Sequence, residues 1–209
     1  MNSSEDSLHP LPGQHHLDAI GLPTSGPRPA TSAQRFPDGG AWRLEIPSVE
    51  GPEALLAVLE ESERLEVPVH RVSQGSGVMM LTDGEIVEML GLAGERDVDL
   101  CLFLGPRGSW DVGGAVRSLS GGGGPRARGR DQLGQCLEDL ARAVELGVRT
   151  ILVADEGVLW ACHQLRAAGR VPADVRFKLS VLTGPVNPAS FVVWSALGAD
   201  SVNVPATCR

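Results

Sequence analysis

The stretch 145–155, ELGVRTILVAD, carries the reading that decides the fold. A helical run ends at Gly147, and an apolar run of strand length follows at 150–155. The phrase returns at 196–205, ALGADSVNVP, with Gly198 in the same place before the next apolar run. Glycine takes the left-handed cap at little cost, so a helix can stop there and turn directly into a strand. Recurrence of that turn points to a chain of strand–helix units rather than to hairpins.

Working outward, the same alternation covers the chain from about residue 41. Apolar strands are expected at 42–49, 67–74, 98–104, 150–155, 175–183 and 201–205. Between them lie helical runs at 52–65, 82–94, 131–146, 158–168 and 187–198. Pro52 sits where a first-turn proline is tolerated, Thr82 and Glu85 have capping-box spacing, and Asn187-Pro188 opens the last helix. The run 98–104 (VDLCLFL) is almost wholly apolar, as in strands covered on both faces. Strict alternation with short turns predicts right-handed crossovers and a parallel sheet.

Two parallel architectures compete, an open doubly wound sheet and a (β/α) barrel. The turn after the first strand, VEGPEA, holds no G-x-G-x-x-G, and no Walker sequence exists, which removes the usual phosphate cradles. Polar residues at the end of every strand suit a barrel. The fold expected is therefore an α/β, TIM-barrel-like chain. It is incomplete, because six units are visible where a closed barrel uses eight strands and about 250 residues. One expectation is that activity is lost with the missing strands; another is that a second copy closes the barrel, making a homo-oligomer.

Composition narrows the functional classes. A net charge of −8 over 209 residues disfavours a general nucleic-acid or anionic-membrane binder. No apolar run approaches the ~20 residues of a membrane helix, and 1–16 lacks the pattern of a signal peptide. A cytoplasmic protein acting on a small-molecule or peptide substrate is expected. Residues 1–40, rich in Pro, Ser, Gly and His, read as a disordered tail in which His15 and His16 are solvated. Residues 41–209 read as the partial barrel, with a mobile Gly/Arg-rich loop at 105–129 whose arginines suit an anionic substrate. The four cysteines are scattered, so neither a zinc site nor an iron–sulfur cluster is expected.

Barrel enzymes carry their chemistry on the C-terminal ends of the strands. Those ends are read as Glu45 and Ser48; His70, Arg71, Ser73 and Gln74; Arg107; Asp155 and Glu156; Lys178, Ser180 and Thr183; and Asn203. Glu45, Asp155, Glu156 and Lys178 are the catalytic candidates. His70, Arg71, Gln74, Arg107 and Asn203 are the substrate-binding candidates. Glu45 and Lys178 interrupt apolar strands, where a charge must be paired or functional. They form an internal ion pair, or Lys178 is a Schiff-base nucleophile with a burial-depressed pKa. Asp155 and Glu156 offer general acid–base groups or ligands for a divalent metal.

The phrases RLEIPS (43–48), VPVHRVSQGSGVMMLTD (67–83), FLGPRG (103–108), LVADEGVLW (152–160) and LGADSVNVP (197–205) resemble the actinobacterial branch of the collagenase-like peptidase family. The likeness spans about 40–205 and corresponds to the N-terminal two-thirds of that family's barrel. It implies a peptidase-like hydrolase. Relatives that hold an iron–sulfur cluster do so on four clustered cysteines, which this sequence lacks. The closing residues PATCR differ from the continuation that follows SVNVP in the family, which implies a truncated barrel. Three functions thus stand: a peptidase-like hydrolase, a Schiff-base lyase or aldolase using Lys178, and a non-catalytic fragment or scaffold.

Overall fold

A computed structural model describes residues 13–22, 32–105, 126–183 and 185–205. The elements run α1 (Gln14–Ala19), β1 (Glu45–Pro47), α2 (Pro52–Leu65), β2 (Arg71–Ser73), α3 (Asp83–Gly94), β3 (Asp99–Leu104), α4 (Gly129–Glu145), β4 (Thr150–Val153), α5 (Glu156–Ala167), β5 (Arg176–Leu179), α6 (Pro188–Ala196) and β6 (Ser201–Val202). Short 3-10 turns follow β2 at Val78–Met80 and β5 at Val181–Thr183.

All six strands are parallel, and their order in the sheet is their order in the chain. A doubly wound sheet would reverse direction part-way, so this topology is that of a barrel wall. The wall curls. Lys178 on β5 meets Glu45 on β1 directly, although four strand spacings in a flat sheet would separate them by about 19 Å. Among the described residues β1 and β6 do not pair, so the structure is an incomplete, TIM-barrel-like α/β fold.

The apolar core lies between this wall and its helices. Val72, Leu100, Leu102, Ile151, Phe177 and Leu179 face outward from the sheet, and all are at least 96% buried. They pack on Leu55 and Leu59 of α2, Ile86 and Met89 of α3, Leu140 of α4, and Leu159 of α5. The caps read in the sequence form. The Glu85 N–H donates to Thr82 Oγ1 at 3.3 Å while the Thr82 N–H donates to Glu85 Oε2 at 2.7 Å. Asn187 and Ser190 make the equivalent reciprocal box on α6. Gly147 and Gly198 have φ of 111° and 108°, the left-handed conformation their turns require. At Gly198 a side chain is also excluded by space, since a Cβ would meet the His163 ring.

Several paired strands are shorter than their apolar runs. The run 67–74 pairs only from Arg71, and 42–49 only from Glu45 to Pro47. The flanking Val67, Val69 and Leu44 instead line a groove between β1 and α2, of about 380 Å³. Within 1–40, the described residues contain one six-residue helix, Gln14–Ala19, in which residues 15–19 are solvent-exposed. No helix among the described residues is long and apolar enough to cross a membrane.

Candidate functional site

Side chains alternate across a strand, so the residues between the outward core positions point into the barrel lumen. On β1 that is Glu45; on β2 Arg71 and Ser73; on β3 Asp99, Cys101 and Phe103; on β4 Thr150 and Leu152; and on β5 Lys178. Barrel strands tilt, and a level layer climbs by about one residue per strand. Following the register round the wall with that climb sets Glu45, Cys101 and Lys178 in one layer. Such layers are normally filled by Val, Ile and Leu. Here the layer is polar.

The contacts form one connected network. Lys178 Nζ donates to Glu45 Oε1, and Ser73 Oγ donates to the same oxygen. Arg71 Nη1 lies 3.8 Å from Glu45 Oε2, and Arg71 Nε donates to Asp99 Oδ2 at 2.7 Å. Thr150 Oγ1 donates to Asp99 at 2.8 Å, fixing the far end of the chain. The Lys178 side chain is 3% exposed, whereas Glu45 and Arg71 keep about a quarter of their exposure, 25% and 24%. One end of the network is therefore dry and the other reaches solvent. Burial pulls the Arg71 pKa down, but the Asp99 hydrogen bond and charge outweigh it and hold the guanidinium above the ordinary arginine value. Burial pushes the Cys101 thiol up to about 12, against the opposing pull of Ser73 and Lys178. Cys101 is accordingly a neutral wall of this site rather than a nucleophile.

Glu45, Arg71 and Lys178 are the sequence candidates that the network brings together, although not at the strand positions expected for them. Glu45, His70 and Arg71 are not at strand C-terminal ends: Glu45 and Arg71 open their strands, and His70 immediately precedes β2. The apolar residues ahead of Arg71 serve the groove rather than the ladder, which is why the strand starts later than its pattern. His70 Nδ1 accepts the Leu44 N–H at 3.1 Å, with the ring edge-on to Trp42. Lys178 sits inside β5, not at its end.

At the true C-terminal rim, the polar side chains hold the backbone. Gln74, fully buried, clasps Gly77 with both ends of its amide, at 3.0 and 3.1 Å. Asp155 caps α5 by accepting the Val158 N–H at 2.8 Å, and its second oxygen accepts the Ala127 N–H at 3.2 Å. Glu156 turns outward to an ion pair with Arg126. Asp155 and Glu156 are thus engaged separately, and no contact joins either to Glu45. Asn203 is tied through its backbone N–H to Leu179. Arg107 and most of the loop at 105–129 fall outside the described residues. Among the described residues no three His, Cys, Asp or Glu side chains are gathered as a metal site requires.

Asp99, Thr150 and Cys101 belong to the network and were not among the sequence candidates. The signal for Asp99 and Cys101 lay in VDLCLFL, where alternate positions are less apolar than their neighbours. Without knowing which strand face looks inward, that alternation does not name a site.

No protein-family model matches the chain, and no curated protein matches it. Solved structures do share its fold. CutC from Streptococcus agalactiae, a protein assigned to copper homeostasis, is similar with a TM-score of 0.51 at 19% identity, over 78% of this chain and 71% of that one. A protein assigned as a fructose-1,6-bisphosphate aldolase, from Coccidioides immitis, is similar with a TM-score of 0.48 at 13% identity. That match covers 78% of this chain, which spans only 55% of the aldolase chain. The similarity to CutC supports the barrel fold and nothing about its chemistry.

Proposed function

We propose that this chain is a barrel enzyme of the Schiff-base lyase or aldolase type, with Lys178 as the nucleophile. What carries the reading is the contact of the buried Lys178 Nζ with Glu45 Oε1 inside the lumen. A lysine needs a base to take its proton and a water-poor surrounding in which an iminium ion is not hydrolysed at once. Glu45 supplies the first and burial the second. Lys178 passes a proton to Glu45 and its amine forms a bond to the substrate carbonyl carbon. The carbonyl oxygen leaves as water with two protons, the one Glu45 took from the lysine and the one the attacking nitrogen gives up, relayed through Glu45, as it becomes the iminium, while the Ser73 hydroxyl holds the Glu45 carboxyl in place. The iminium then draws electrons from a neighbouring carbon–carbon or carbon–hydrogen bond as it breaks.

Lys178 is the only lysine in the chain, which makes the test direct. Borohydride reduction in the presence of a panel of small aldehydes and oxo acids is expected to fix a mass adduct on the peptide containing Lys178. A folded protein that shows no adduct on that peptide with any carbonyl in the panel overturns the reading.

The resemblance to collagenase-like peptidases supports a second reading, hydrolysis, because its phrases contain Glu45, Arg71 and Ser73. A hydrolase would use Glu45 as the base on water. Peptide cleavage lost in Glu45→Gln but kept in Lys178→Met favours that reading, while unchanged cleavage in both Glu45→Gln and Asp155→Asn removes it.

A further inference from the structure

The Arg71 guanidinium is held from behind and open in front. Its Nε is bound to Asp99, which Thr150 fixes in turn. Neither Nη makes a hydrogen bond among the described residues, and Nη1 only approaches Glu45 Oε2 at 3.8 Å. Guanidinium groups bind carboxylates through two parallel hydrogen bonds, and this one, bound through Nε, keeps its two Nη groups without a hydrogen bond among the described residues. They face the same carboxylate that Lys178 grips by its other oxygen.

We infer that the substrate is a 2-oxo carboxylic acid, and that Arg71 is the residue that selects it; this rests on the Schiff-base reading above. The geometry behind the inference is that one carboxylate, that of Glu45, already spans Lys178 and Arg71. In a 2-oxo acid the carboxylate is one bond from the carbonyl carbon. A molecule that gives its carbonyl carbon to Lys178 therefore brings its carboxylate to the place where Arg71 waits. Charge favours the exchange. Once Glu45 has taken the lysine proton it is neutral, its attraction for Arg71 falls, and the guanidinium turns to the substrate anion. Asp99 acts as a positioning residue: it prevents the freed guanidinium from swinging away.

The test compares two carbonyl compounds of similar size, pyruvate and the uncharged hydroxyacetone. Half-saturating concentrations for borohydride trapping on Lys178 are measured in the full chain. The natural protein is expected to trap pyruvate at a concentration lower by on the order of ten- to a hundredfold, the value of charge-assisted hydrogen bonds. Arg71→Gln is expected to abolish the preference and Arg71→Lys to keep part of it, with circular dichroism checking that each variant is folded. Equal trapping of the two compounds by the natural protein overturns the inference with no variant needed, and leaves the Schiff-base reading standing. A preference that survives in folded Arg71→Gln overturns it too. Absence of any adduct on Lys178 removes both readings together.

Discussion

The two faces of the same sheet are built from different kinds of residue. Outward, Val72, Leu102, Ile151 and Phe177 bury a continuous apolar surface under the helices. Inward, one residue along on each strand, stand Arg71, Cys101, Thr150 and Lys178. Both faces are largely removed from water, but by different means. The outer face gains from burial in proportion to area. The inner face has desolvated charges and offsets that cost only because each has its partner. Stability comes from the outside of the wall, and the lumen carries groups whose arrangement is costly unless it serves a purpose.

Truncating the outer face should have the largest effect on stability. Phe177→Ala removes a fully buried ring and is expected to cost about 3–5 kcal/mol, read as a lowered midpoint in urea unfolding. It should leave the contacts of Lys178 unaltered.

Glu45→Ala is expected to cost somewhat less, about 2–4 kcal/mol, because it strands the buried Lys178 charge while Glu45 itself is partly solvated. The paired replacement Glu45→Leu with Lys178→Met tests whether the pair is there for stability. Recovery of most of the loss in the double variant would show that the lumen does not need charge to fold. A loss that persists would make the ion pair structural and remove the contrast between the faces.

The rim is expected to respond more weakly. Asp155→Ala deletes the cap of α5 and the tie to Ala127, for about 1–2 kcal/mol by thermal unfolding. Glu156, exposed and paired with Arg126, is expected to give a change within about 0.5 kcal/mol on replacement by Ala.

The smallest effect at neutral pH comes from the thiols. Burial pushes Cys101, Cys136 and Cys162 each up to about 12, from an ordinary value of 9.0. Above pH 9 the unfolded chain loses thiol protons that the folded chain retains, so stability should fall as the pH rises from about 9 towards 12. Below pH 9 these three thiols leave stability flat, and labelling of Cys101, Cys136 and Cys162 by a thiol reagent at pH 8 should require unfolding. Rapid labelling of Cys101 in the folded state would mean that the lumen is open to solvent at that layer.

Much of this could be read along the chain. The helix-ending Gly147 and Gly198, the capping box at Thr82, the cap at Asn187 and the apolar run at β3 all come from local chemistry that operates over a few residues. The strand starts were less legible. Val67 and Val69 carry a strand pattern yet line a groove, because apolar periodicity reports burial and not pairing. Charge inside an apolar strand marked Glu45 and Lys178 as needing an explanation, whereas Asp99 and Thr150 look ordinary until their strands are set side by side. Asp155 and Glu156, read from the sequence as acid–base or metal-ligand candidates, form a helix cap and a surface ion pair. Strand β4 ends at Val153, so Asp155 is the residue before α5, where it accepts an unsatisfied N–H, and Glu156 already belongs to the first turn of the helix.

The repeating strand–helix unit and the parallel sheet are written into the chain itself, because turns, caps and side-chain periodicity are properties of neighbouring residues. Only the tertiary structure decided that Glu45 and Lys178, 133 positions apart, are partners, with Ser73, Arg71 and Asp99 joined to them. That pairing depends on the curl and register of the whole wall, which bring β5 back to β1. No local segment encodes it.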